Sequence, residues 1–449
     1  MVKNLWNHSR TFESDLDSLV YRSNIIGSDR SIANWGGGNT SVKTVEKDFR
    51  GNEVDVLWVK GSGSDLATMG PENFTCLNME YILPLLEKED MTDDEMVSYL
   101  SHCMLNPKHP RSSIETLLHA FLPFKHVDHT HPDAIISIAC ADNGKEVAEE
   151  IFGDRLVWVP YIRPGFKLSK MISEGVRQNP NAELVIMEKH GLVTWGNNSR
   201  ECYEQTLSVI NEAEKYIEER AIGKKIFGGI KYETLDKSVR EEILTKILPV
   251  VRGEVSENNR MIVTYDDSEA VLNFVNSYEA KELSFVGAAC PDHLVHTKRV
   301  PLFIEWDVDH NNVEDLIERI KVGINEYKEE YKKYFERHRS NNEKIIEGVP
   351  RVILIPGIGM INTGKSWSAA DISRQLYHRA ISVMRGATIL GNFVSLNEKE
   401  SFDIEYWPLE LYKLSLAPPE SEFSRQVALI TGAAGGIGSA TSYRLAADG

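Results

Sequence analysis

The stretch RSSIETLLHAFLPFKHVDHTHPDAIISIAC (residues 111–140) holds His119, His126, His129 and His131 within thirteen positions. His129 and His131 stand two apart and lead into the strand-like run DAIISIAC. On an extended backbone they point to the same face, the geometry two ligands of one metal need, while His126 faces the other way. An isolated H-x-H pair more often marks surface or packed histidines. Upstream, Glu115 and His119 are spaced i,i+4 and share one face of a helix that starts after Ser112 and Ser113, natural capping residues. A carboxylate beside a divalent ion can act as a general base, or can ligate the ion until substrate displaces it. In isolation Glu115 reads first as a helix-start glutamate favoured by the macrodipole.

Two further regions give the stretch its meaning. His190 lies in VIMEKHGLVTWG, where a strand meets a glycine turn. Three neutral imidazoles, from His129, His131 and His190, with one position left open suit catalytic zinc or a similar divalent ion. IANWGGGNTSVK (residues 32–43) and WVKGSGSDLA (residues 58–67) are glycine and hydroxyl clusters beside strand-like runs. Glycine lets the backbone turn its N–H groups inward, and Gly38, Asn39, Ser41, Ser62 and Gly63 together read as a phosphate nest. Each loop alone reads as an ordinary turn.

The 449 residues are enough for two or three domains, and 42% hydrophobic with 26% charged residues is ordinary for a globular protein. The formal net charge of −17 argues against nucleic acid or an anionic membrane as partner. Five dispersed cysteines without a C-x-x-C pair indicate a reducing compartment and no disulfide framework. The N-terminus lacks an apolar signal region and no apolar run is long enough to span a bilayer, so a cytoplasmic location is expected. Residues 1–225 form a first α/β block and residues 226–420 a second one, which has no evident chemistry. LAPPESEFSRQ reads as a linker to a terminal fragment, 421–449. No internal repeat or low-complexity tract is evident.

GMINTGKS (residues 359–366) matches the pattern of a P-loop after a strand-like run. No apolar run ending in Asp follows it, and Glu305, Asp307 and Asp309 lie upstream. A strand-to-helix turn is the favoured reading. The terminal TGAAGGIG places Gly432, Gly436 and Gly438 in a dinucleotide-binding pattern after a strand-like run. None of the sixteen tyrosines is followed four residues later by lysine, and one such unit cannot build a nucleotide crevice.

Taken in order, Gly38-Asn39-Thr40-Ser41, Ser62-Gly63, Glu115 with His119, His129-Thr130-His131 and His190-Gly191 resemble the class II aldolase/adducin family. The resemblance covers about the first half of the chain. It implies an α/β/α sandwich with a mostly antiparallel central sheet, followed here by a second α/β domain and a short Rossmann-type fragment. It implies a divalent ion, zinc or similar, held by His129, His131 and His190, with Glu115 as the acid/base. Ser113 joins the phosphate site, although Ile114 departs from the serine often found there. Implied partners are a phosphorylated ketose and other copies of the chain, members commonly being tetramers. The whole layout resembles the fused rhamnulose-1-phosphate aldolase/alcohol dehydrogenases, truncated in the dehydrogenase part. On that resemblance L-rhamnulose 1-phosphate is cleaved to dihydroxyacetone phosphate and L-lactaldehyde, and NAD(P) binds only in a full-length protein. Fuculose 1-phosphate, a related epimerase reaction and an adducin-like module without activity are the alternatives.

Overall fold

The computed structural model describes residues 1–449 except 257, 258, 309, 311, 341, 342, 417 and 418. It divides into two units. The first comprises Met1–Ile226, Gly287–Asp292 and Arg379–Lys413; the second comprises Phe227–Val286, His293–His378 and Leu414–Gly449. Two segments of the expected second block therefore fold with the first. Asp309, and Ala417 and Pro418 of the expected linker, lie outside the described residues.

The first unit is built on a seven-stranded sheet. Its strands are β1 (Asn39–Lys47), β2 (Glu53–Lys60), β3 (Phe74–Asn78), β4 (His126–Thr130), β5 (Leu156–Val159), β6 (Leu184–Met187) and β7 (Gly191–Gly196). They lie in the order β3-β2-β1-β4-β7-β6-β5. Every pairing is antiparallel except that of β5 with β6. Period-two alternation serves both faces. Leu184, Ile186 and Leu192 pack with Leu19, Ile26 and Ile210 on one side, and Val185, Met187 and Val193 pack with Leu118 and Ile172 on the other. Each such fully buried Leu or Ile contributes about 1.5–3 kcal/mol. This is an α/β architecture with a mostly antiparallel sheet packed on both faces and a second unit, as the resemblance implies.

The run DAIISIAC is a helix, Asp133–Ala139, rather than a strand. A short run that is apolar all round does not reveal its period. The cues that decide it are Pro132 at the N-cap and Asp133 in the first turn. GMINTGKS likewise holds no phosphate loop. Gly359–Gly364 is a strand paired on both sides, so its amides are committed to the sheet, and a helix, Trp367–Leu390, follows. Residues 426–430, before the terminal glycines, form no strand, since a strand needs a neighbour to pair with. Gly432 (φ +69°) turns the chain into an exposed helix, Gly436–Ala447.

The second unit holds β8 (Ile262–Asp266), β9 (Leu302–Phe303), β10 (Val352–Ile355) and β11 (Gly359–Gly364), in the order β8-β11-β10-β9. This repeats β4-β7-β6-β5 of the first unit, strand for strand and direction for direction. The hairpins also match in register. Leu184 faces Thr194 and Met187 faces Gly191 in one; Val352 faces Asn362 and Ile355 faces Gly359 in the other. Their turns close alike, His190 N–H on Met187 O (3.1 Å) and Ile358 N–H on Ile355 O (3.2 Å), with Lys189 and Gly357 both at positive φ. After β4 comes the seven-residue helix Asp133–Ala139; after β8 comes the seven-residue helix Glu269–Val275. The expectation of no internal repeat is thus corrected. What repeats is register and turn geometry, carried by very few shared residues.

Candidate metal and catalytic site

Strand β4 fixes the site through its parity. His126 and Asp128 point to one face, where Arg22 binds them from helix Asp15–Ser28. Its Nε is 2.9 Å from Asp128 Oδ1 and its Nη1 is 2.8 Å from His126 Nδ1, all three side chains being buried. His129 points to the opposite face, and His131 follows just past the strand end. There the turn between β6 and β7 brings His190 in. One ring nitrogen from each of His129, His131 and His190 lies within 4.8 Å of the others, and all three residues are buried. The expected histidines are brought together.

Glu115 closes this cluster. It caps helix Thr116–Phe121 rather than lying inside it, with Oε2 at 3.2 Å from His129 Nε2 and Oε1 at 3.3 Å from His190 Nε2. Asn39 at the start of β1 donates to Glu115 Oε2 (2.8 Å) and to Ser113 Oγ (3.2 Å). His119 holds the other end of that amide, its Nε2 on Asn39 Oδ1 and its Nδ1 2.7 Å from Ser41 Oγ. Asn39, Ser41 and Ser113 thus orient the carboxylate in this structure.

The loops around the expected nest are built differently. Asp65 Oδ2 accepts from Gly36 N–H (2.8 Å) and from Arg30 (2.9 Å), so a carboxylate already occupies one glycine amide. Gly38 (φ +70°) has no room for a Cβ, which would meet the His129 carbonyl. Ser62 N–H donates to Arg111 O, and Gly63 (φ +84°) turns the loop. Beside Arg30, these loops hold a buried cation, Lys60, with Nζ 3.0 Å from Gly36 O. Burial, with Lys413 nearby, brings its pKa down to about 8, still a cation at neutral pH. Lys60 sits directly before Gly61, a position from which sequence alone gives no reason to choose it.

The electrostatics suit an ion. Burial lowers the His131 pKa to about 4 despite the neighbouring Asp292, so the ring is neutral. Burial would raise the Glu115 carboxyl, but His129 and His190 outweigh it and hold the group well below the usual carboxylate range. His129 shows the reciprocal effect, raised by Glu115 against the cost of burial. His129 Nε2 and His131 Nε2 face each other at 3.1 Å, and Glu115 Oε1 faces the His190 ring at 3.3 Å. Imidazole nitrogens converging with a carboxylate are the donor set of a divalent ion. The matching positions of the second unit carry no histidine: register places Tyr265, Asp267 and Ile358 where the first unit has His129, His131 and His190.

Residues 18–217 match the class II aldolase and adducin N-terminal domain, and residues 242–414 match the class II aldolase second domain. The solved N-terminal class II aldolase domain of a conserved protein from Thermoplasma acidophilum is 41% identical. That match covers 48% of this chain and 100% of the other, with a TM-score of 0.46. The chain belongs to the class II aldolase and adducin family. It is also 62% identical to YuxG of Bacillus subtilis (strain 168), named an uncharacterized oxidoreductase. All of this chain is matched, and it spans 66% of that protein's length. An L-fuculose-1-phosphate aldolase from Thermus thermophilus is 13% identical, with 45% of this chain and 93% of that one covered at a TM-score of 0.31.

Proposed function

We propose that this chain is a metal-dependent aldolase that cleaves a phosphorylated ketose, with L-rhamnulose 1-phosphate as substrate and dihydroxyacetone phosphate and L-lactaldehyde as products. The observation that carries the reading is the buried triad His129, His131 and His190 closed by the Glu115 carboxylate. Those three histidines would hold the ion, zinc or a similar divalent metal. When bound, it supplies Lewis acidity that polarises a ketose oxygen and favours negative charge there.

The protein's own groups do the rest. Cleavage breaks one carbon–carbon bond and leaves its electron pair on the donor carbon; the aldehyde half gives up its hydroxyl proton and the donor carbon gains one. Glu115, held in place by Asn39, carries the proton at that carbon. Lys60, beside the glycine loops, supports binding of the phosphate, and Gly38, Ser62 and Gly63 shape its seat. A homo-oligomer belongs to the same reading. The turn at Gly432, Gly436 and Gly438 supports a nucleotide, NAD(P), as cofactor of a longer protein.

The test is a coupled assay for dihydroxyacetone phosphate from rhamnulose and fuculose 1-phosphates. Glu115→Gln should lower the rate by about 10²–10⁴-fold, the usual worth of a general acid–base group. Release from fuculose 1-phosphate alone would move the substrate; no release above the variant from either sugar would leave an adducin-like binding module.

A further inference from the structure

An imidazole that binds a metal through Nε2 carries its proton on Nδ1, and that N–H needs an acceptor to fix the ring. His129 meets the requirement with backbone: its Nδ1 lies 3.0 Å from Leu192 O. His131 has no such carbonyl. Its Nδ1 faces Asp292 Oδ2 at 2.9 Å, with Asn34 Oδ1 at 3.4 Å and Cys290 Sγ at 3.7 Å. Asp292 and Cys290 stand in Gly287–Asp292, the short segment that packs into the first unit although it falls within the part of the chain matched as the second domain.

A second observation marks this cluster as built. Gly37 lies against it, and a Cβ there would collide with Asn34 Oδ1, Asp292 Oδ2 and His131 Nδ1. Its backbone is not in the left-handed region, so space alone demands glycine. The middle glycine of WGGG thus makes room for the Asp292 carboxylate at His131.

We propose that Asp292 is the positioning residue of the metal centre: it accepts the Nδ1 proton of His131 and holds that ring with Nε2 toward the ion, with Gly37 leaving the room. This rests on the reading of His129, His131 and His190 as the ligands. Asp292, Cys290 and His131 also lie close enough to hold an ion themselves. The two arrangements exclude each other while His131 Nδ1 keeps its proton.

The experiment is a zinc titration of the full chain in competition with a chromogenic chelator, giving affinity and stoichiometry without catalysis. Asp292→Ala should weaken zinc about 10–100-fold, the usual cost of losing such a partner, with one ion still bound per chain. Asp292→Asn, which keeps an acceptor oxygen, should recover part of that loss, and Cys290→Ser should leave affinity unchanged. If Asp292→Ala does not fold, Gly37→Ala should produce the same weakening by pushing the carboxylate off His131. An affinity for Asp292→Ala within about twofold of the wild type overturns the proposal, being far short of that cost. So does a wild type holding two ions of which the variant loses one, because Asp292 is then a ligand. A wild type that binds no zinc overturns the ligand reading itself.

Discussion

The hairpins of β6–β7 and β10–β11 share register and turn closure, yet one carries His190 and the other Ile358 at the same point. In the second unit Ile358 is fully buried among Ile355, Ile361 and Leu316. Tyr265, at the position of His129, sends its hydroxyl to the Ile358 carbonyl at 2.7 Å. The scaffold is therefore complete without imidazoles. Burying imidazoles where apolar side chains serve as well costs stability, which fits their proposed role as metal ligands.

The comparison breaks most visibly on metal. Wild-type protein dialysed and assayed by elemental analysis should hold one divalent ion per chain, and His129→Ala with His190→Ala should hold none. A second ion that survives those changes would put a site in the repeat. Next come the glycines that end β7 and β11. A Cβ on Gly196 would strike the backbone of Cys202, and one on Gly364 that of Ala370, each at the start of the following helix. Alanine at either should cost about 1–3 kcal/mol in urea unfolding, and alike at both if the geometry is truly shared.

A smaller effect separates the units. Asp266 in β8 accepts from His378 Nε2 (2.7 Å) and Arg374 Nη1 (3.0 Å). Burial raises its pKa, but these bonds and those from Ser268 outweigh that and hold it far below the usual range. A depressed carboxylate stabilises above its unfolded pKa and loses that contribution as pH falls toward its folded one. Asp266→Ala should cost about 2 kcal/mol at pH 7, and the difference should shrink as the pH drops below about 4. Thermal melts at several pH values measure it. Smallest of all, Lys189 holds a positive φ (54°) where the second hairpin has Gly357. Lys189→Gly should gain up to about 1 kcal/mol or break even, since glycine relieves the strain but loses more chain entropy.

Much of the site is legible in the sequence because strand parity and loop spacing act over short distances. His129, His131 and His190 stand out by strand parity and a glycine turn, while Glu115 reads as a helix-start residue until the ordered motifs of the family resemblance single it out. The helix after Pro132 reads as a strand because an all-apolar run has no visible period. Asp292 is out of reach: CPDH shows nothing of a return into the first unit, since only tertiary packing brings it to His131. The repeat stays hidden because it conserves hydrogen-bond register, a property of backbone that many side chains satisfy.

The chain enters the first unit three times, with Gly287–Asp292 as the middle visit. On a ribosome, His129, His131 and His190 are all made before Asp292, and at usual synthesis rates the wait from His131 is on the order of ten seconds. The nascent site thus passes through a stage with its imidazoles present but one ring unanchored. A fragment ending near residue 226 lacks Asp292 together with the third segment, Arg379–Lys413. It should capture zinc weakly, and added protein lacking Asp292 should not mend it.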